Sequence, residues 1–342
     1  MLRTLKNLFL SAALLALVAA AFAGSVAPGS FLRTAPYTLV TGSDYEPWCE
    51  DGDAASVPEA DLRGPHFALS LECLFQRTAI PEAQAMLNDK LASMPPAAPG
   101  TEFLFAIVAG QATFVPDYSE ELALSTAWIE SGAERFSLND LAGNDFIVLS
   151  VPSGERAVLW VEDEGRAQGL DLRTGAQVDP VEAYYGGPNF GSRTLDGYDY
   201  DEVRFNGAGG WSWIMSCDHD RSSMRRAVWS GDYGWAAEGS VLIEVGFWWC
   251  GTSFSDTEWA LDTDQALQLR SGSEWYEPVT HLESFDSDSP GWEHHTFIFE
   301  VPADVAEVTA FFSPIGEITQ KDNGKVFTLD KDPDYTHWTA TF

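Results

Sequence analysis

From residue 60 to the end of this chain, apolar side chains recur at every second position in short runs closed by glycine and proline. Phe67, Leu69, Leu71, Cys73 and Phe75 alternate with Ala68, Ser70, Glu72 and Leu74, the period of a strand with one buried face. Residues 103–109 and 146–151 are short continuous apolar runs of buried-strand length. Residues 156–161 follow Pro152-Ser153-Gly154-Glu155, which reads as a hairpin connection. Further on, residues 198–205, 211–216, 241–249, 266–270, 295–301, 307–312 and 325–329 have strand character. One short helix is expected over residues 81–93, with Pro81 suited to a first turn and Pro95-Pro96 as a stop. Seven or so short strands per half predict an all-β chain of two tandem β-sandwiches, with that helix in the first.

The division falls where glycine, proline and aromatic residues crowd together, at Tyr184-Tyr185-Gly186-Gly187-Pro188-Asn189-Phe190-Gly191-Ser192. The expected organisation is a signal peptide over residues 1–23, an N-terminal extension over 24–63, a first sandwich over 64–187 and a second over 188–342. Ten of the 13 tryptophans and five of the six histidines lie after the linker, so the second half holds more site-forming material. The halves also echo each other. Val151-Pro152 is followed by Val158, and Val301-Pro302 by Val308, at a constant offset of 150 residues. Proline cannot donate to the next rung of a ladder, so each Val-Pro marks where a strand leaves its sheet. That pattern predicts two copies of one fold.

Gln265-Ala266-Leu267-Gln268-Leu269-Arg270-Ser271-Gly272-Ser273-Glu274-Trp275-Tyr276, followed by Phe299-Glu300-Val301-Pro302, resembles the strand grammar of bacterial extracytoplasmic immunoglobulin-like domains. These are the telomeric-repeat-factor-like and immunoprotective-antigen-like domains, mostly of unknown function. The resemblance spans residues 235–315 and, more faintly, 100–175. It implies an immunoglobulin-like sandwich and an extracytoplasmic compartment, and no reaction.

The N-terminus carries the same address. Arg3 and Lys6 precede an apolar run, residues 8–23, that ends in Ala21-Phe22-Ala23, the small-x-small pattern of a signal peptidase site. As a helix that run would reach roughly 24 Å, short of a bilayer core of about 30 Å. Cleavage would leave 17 cations against 52 acids, a net charge of −35. Such a surface repels phosphate, which argues against nucleic acid and anionic lipid as partners. The expectation is a secreted or cell-envelope protein with no membrane span after cleavage. Cys49, Cys73, Cys217 and Cys250 are then read as disulfides. Of three possible pairings, proximity favours Cys49–Cys73 and Cys217–Cys250, with loops of 25 and 34 residues worth about 3.5 and about 3.8 kcal/mol of chain entropy.

Motifs for chemistry are scarce. There is no Gly-x-Ser-x-Gly nucleophile turn and no phosphate-cradling loop opening a helix. Ser230-Gly231-Asp232-Tyr233-Gly234-Trp235 partly matches the Asp-box of sialidase propellers but occurs once, so a plain β-turn is the better reading. Asp330, Asp332 and Asp334 are spaced like the first half of a calcium loop. Tyr335 and Thr341 stand where an EF-hand needs glycine and glutamate, leaving an irregular calcium site as the one cofactor these spacings admit. His294 and His295 are adjacent on a strand and point to opposite faces, so they do not share an ion. Among the tryptophans most are expected in the core, with Trp211, Trp213 and Trp235 the candidate ligand platform. The leading expectation is a non-catalytic binding or scaffold protein engaging an extracellular protein or carbohydrate. The alternative is a carbohydrate-active hydrolase, or a carbohydrate-binding protein, using the Trp- and acid-rich second half.

Overall fold

A computed structural model describes residues 32–43, 60–110, 125–138, 145–250, 257–285, 291–331 and 333–342. The chain is nearly all β. In the first half one sheet runs β1 (Thr38–Ser43), β7 (Asp145–Pro152), β4 (Thr101–Gly110), β3 (Ala68–Arg77), β2 (Asp61–Arg63). The other runs β10 (Gln177–Val178), β9 (Arg166–Asp171), β8 (Ala157–Asp163), β5 (Thr126–Ser131), β6 (Glu134–Leu138). Leu69, Leu71, Leu104, Ile129, Leu149 and Leu159 belong to the core they share. The first sheet is buried on its other face too. There Phe75, Phe103, Phe105 and Phe146 pack with Leu91, which explains why β4 and β7 read as unbroken apolar runs.

The single helix expected over residues 81–93 is two: α1 (Glu82–Leu87) and α2 (Asp89–Ala92). Asn88 separates them in an extended conformation, and its side chain accepts from the Lys90 N–H, capping a new start instead of continuing the old one. The strict alternation from Phe67 to Phe75 is also broken. A bulge between Glu72 and Phe75, with Cys73 at φ 56°, turns Leu74 into the inter-sheet core. Phe75 thereby passes to the helix-covered face.

In the second half an eight-stranded sheet runs β16 (Thr257–Leu261), β22 (Gly316–Gln320), β23 (Lys325–Leu329), β11 (Gly191–Gly207), β12 (Ser212–Ala227), β15 (Ser240–Trp249), β20 (Glu293–Pro302), β19 (Thr280–Phe285). It faces a four-stranded sheet of β18 (Glu274–Tyr276), β17 (Leu267–Ser271), β21 (Glu307–Phe312) and β24 (Thr336–Thr341). A small hairpin, β13 (Trp229–Ser230) and β14 (Gly234–Trp235), accounts for the Asp-box-like turn. The long β11–β12 arms exceed the strands expected there, because residues 216–226 are polar on their open face and resemble a loop when read alone. Trp249, Trp259 and Trp338 are core residues. Tyr184 and Phe190, from the segment expected to be a linker, join the same core. Cys217 and Cys250 form a disulfide, with Cα atoms 6.0 Å apart, joining β12 to the residue after β15. The Cys49–Cys73 expectation falls on Cys49, outside the described residues, as does the signal peptide. Among the described residues no helix is long and apolar enough to cross a membrane.

The two Val-Pro dipeptides end equivalent strands. Thr101 pairs with Pro152 on β4–β7, and Ser240 pairs with Pro302 on β15–β20. Gly100 and Gly239 precede those strands, both at φ 79°. Gly100 O accepts from the Ser153 N–H and Gly239 O from the Ala303 N–H, each at 2.9 Å. Val158 and Val308 are not equivalent, however. Both are buried, but Val308 lies in the core. In β8 it is Ala157 and Leu159 that face inward. Val158 is on the opposite face, against Gly169. The offset of 150 therefore holds for the strand ends and slips across the turn that follows.

Candidate functional site

The outer face of the four-stranded sheet carries a row of rings. Strand alternation sends Leu267, Leu269, Val308, Ala310, Phe312, Trp338 and Ala340 into the core, so Gln268, Arg270, Thr309, Phe311, His337 and Thr339 face outward. Trp275 pairs with Arg270, Gln268 with Phe311, and Phe311 with His337, which lines these side chains up across four strands. The Trp275 and Phe311 centroids lie 5.1 Å apart, with Tyr335 6.3 Å and His337 6.2 Å from Phe311. The Arg270 guanidinium sits 5.3 Å from the Trp275 ring and 4.8 Å from Phe311, a cation–π contact with both. Trp275 is 53% exposed and Tyr335 52%. A hydroxyl pair, Thr309 Oγ1 and Thr339 Oγ1 at 3.0 Å, borders the rings.

No family model, curated protein or solved structure matches this chain.

The expected platform of Trp211, Trp213 and Trp235 is not one surface. Trp211 is 70% exposed in the turn before β12, where its carbonyl accepts from the Gly207 N–H. Trp213 is half-buried, its Nε1–H donating to Met215 Sδ at 3.1 Å and its ring near Phe327. Trp235 lies against the first sandwich. Its Nε1–H donates to Glu164 O at 2.9 Å, and the Arg166 guanidinium is 5.3 Å from its ring. The Trp275 row was missed because that tryptophan sat within a stretch read for its fold. One signal was available: in Phe311-Phe312, as in Trp248-Trp249, adjacent strand residues must divide between two faces.

Of the calcium candidates, Asp330 and Asp334 line an open cleft of about 490 Å³ with Asp199, Asp201, Glu202, Arg204 and Lys331. Asp332 lies outside the described residues. A bulge between Tyr200 and Val203, with Glu202 at φ 55°, shapes one wall. Asp330 Oδ1 accepts from Asn206 Nδ2 at 2.5 Å. Among the described residues no three ligand atoms in this cleft converge within 4.8 Å; His66, Asp163 and Glu164, elsewhere, do so.

Three histidines cluster on β19 and β20. His281 Nε2 and His295 Nδ1 lie 2.8 Å apart, within hydrogen-bond distance, and His295 stacks on Phe247. Burial, reinforced by neighbouring His295, pulls the His281 pKa down to about 4. Burial, then His295 and His219, lowers that of His294. His294 faces outward beside Trp248, and His295 inward, so the adjacent pair does divide between two faces.

Proposed function

We propose that this is an exported, non-catalytic binding protein whose Trp275–Phe311–Tyr335 face takes up carbohydrate. The observation carrying this reading is the ring row itself. Single exposed rings are ordinary, but Trp275, Tyr335 and His337 gathered round Phe311 form a contiguous patch of the kind that marks an interaction surface. The flat C–H face of a pyranose suits such a patch, and Gln268, Arg270 and the threonine hydroxyls supply polar partners for its rim. A hydrolase would need a buried carboxylate to retain a proton near neutral pH. Asp199, Asp201, Glu202, Asp330 and Asp334 around the acidic cleft are all exposed, which favours binding over hydrolysis. The apolar leader, the Cys217–Cys250 disulfide and the immunoglobulin-like strand grammar support an extracytoplasmic setting.

Affinity electrophoresis against soluble neutral and uronic-acid polysaccharides tests the reading. At least one polymer should retard the protein, and Trp275→Ala should weaken that retardation about 10–100-fold. Trp211→Ala should leave it unchanged. Retention of full binding by Trp275→Ala, or no retardation by any polymer, would overturn the proposal.

A further inference from the structure

Where the two sandwiches meet, an imidazole and two carboxylates converge. We propose that His66, Asp163 and Glu164 form a binding site for a divalent transition-metal ion of the zinc class. All three lie in or next to turns of the first sandwich. His66 lies between β2 and β3, in a turn closed by the Gly64 N–H donating to Phe67 O at 2.8 Å. Asp163 ends β8, and Glu164, at φ 49°, opens the tight turn into β9 with Gly165 at φ 76°. A Cβ on Gly64 would collide with the Phe67 ring and come within 3.0 Å of Asp163 Oδ2. Glycine thus permits the close approach of the two turns.

The distances suit an ion. His66 Nδ1 is 2.9 Å from Asp163 Oδ1 and 3.5 Å from Glu164 Oε1. Zinc bonds of about 2.0–2.1 Å in a tetrahedron place neighbouring ligand atoms roughly 3.3 Å apart. One imidazole nitrogen with two carboxylate oxygens favours zinc or a neighbouring transition ion over calcium, which prefers an all-oxygen shell. Charge argues the same way. Asp163 is only 3% exposed, and both carboxylates make their ion pairs with this one imidazole nitrogen. A divalent ion here would offset the buried Asp163 carboxylate together with its neighbour Glu164.

The surroundings brace the ligands. The His66 N–H donates to Asp163 Oδ2 at 2.7 Å, leaving Oδ1 for the ion. From the second sandwich, Trp229 sets its ring edge-on 5.1 Å from His66. Trp235 holds the Glu164 carbonyl. Glu164 is exposed, so the remaining coordination positions open to solvent. This site is independent of the aromatic face.

The test uses the full exported chain, stripped with chelator and titrated with zinc by calorimetry, with metal content counted after desalting. One zinc per chain is expected to remain bound. His66→Ala and Asp163→Asn should each weaken it by more than the ~10–100-fold that loss of an outer-shell partner costs. Asp330→Asn, in the separate acidic cleft, should change nothing. In the unmutated protein cobalt(II) should give visible absorption bands that zinc abolishes, a readout that survives if a variant fails to fold. Only weak, superstoichiometric uptake untouched by His66→Ala, or no cobalt bands, would overturn the site and leave His66 as a hydrogen-bond clamp.

Discussion

The two sandwiches each place a tryptophan and an arginine in one hairpin and use them differently. In the first, β5 and β6 turn at Gly132, and the Arg135 guanidinium lies 3.9 Å from the Trp128 ring. In the second, β17 and β18 turn at Gly272, with Arg270 5.3 Å from Trp275. Trp128 is 6% exposed and lies beside Trp160 at 6.3 Å, whereas Trp275 is 53% exposed. The two hairpins thus carry the same residue pair in opposite strand order, Trp128 on β5 and Arg135 on β6 against Arg270 on β17 and Trp275 on β18, with opposite burial of the tryptophan. The difference teaches that the second sheet's outer face is open by construction, since the first shows how the same pair can be closed.

The sharpest break of that comparison is a pair of alanine substitutions. Trp128→Ala should cost about 3–5 kcal/mol in urea unfolding, as for other buried tryptophans. Trp275→Ala should cost within about 0.5 kcal/mol, the range of surface changes. A large loss from Trp275→Ala would make its face structural and remove the asymmetry.

A somewhat smaller effect is expected at the disulfide. Replacing Cys217 and Cys250 together with alanine should destabilise the second sandwich by about 2–4 kcal/mol. Limited proteolysis should then cut the second half before the first. Equal protection of both halves would mean that they unfold as one cooperative unit.

The smallest effect is acid sensitivity, which should also separate the halves because five of the six histidines follow the linker. Burial, then His295, holds His281 neutral in the folded state down to about pH 4, from 6.5 when free. Unfolding therefore takes up a proton between those values, so this contribution is complete above pH 6.5 and is lost as pH falls through about 4. Full expression would be roughly 3 kcal/mol. Solvent screening at a half-open imidazole trims the expected loss to about 1–2 kcal/mol. His281→Gln should flatten the melting profile of the second sandwich over that range. An unchanged profile would place the acid sensitivity elsewhere.

Much of the fold was legible because strands, turns and strand ends are local. Residues 307–312 and 325–329 were read with the bounds that β21 and β23 have. The Val-Pro endings were legible for the same reason, since proline's missing N–H acts wherever it stands. Beyond residue 216 β12 is not legible because its polar open face imitates a loop, and the β3 bulge is not because inserting one residue leaves the letters of an alternation intact while reversing its faces.

Sequence alone determined the all-β class, the repeated strand endings, the acidity of the surface and the crowding of tryptophan into the second half. Tertiary structure decided which tryptophans meet water: Trp211 and Trp275 do, Trp213 and Trp235 are half-covered, and Trp249, Trp259 and Trp338 do not. It also brought His66 to Asp163 across 97 residues of chain. Local pattern records the period of a strand, but exposure and convergence depend on which sheet lies opposite. That is settled only when distant segments pack.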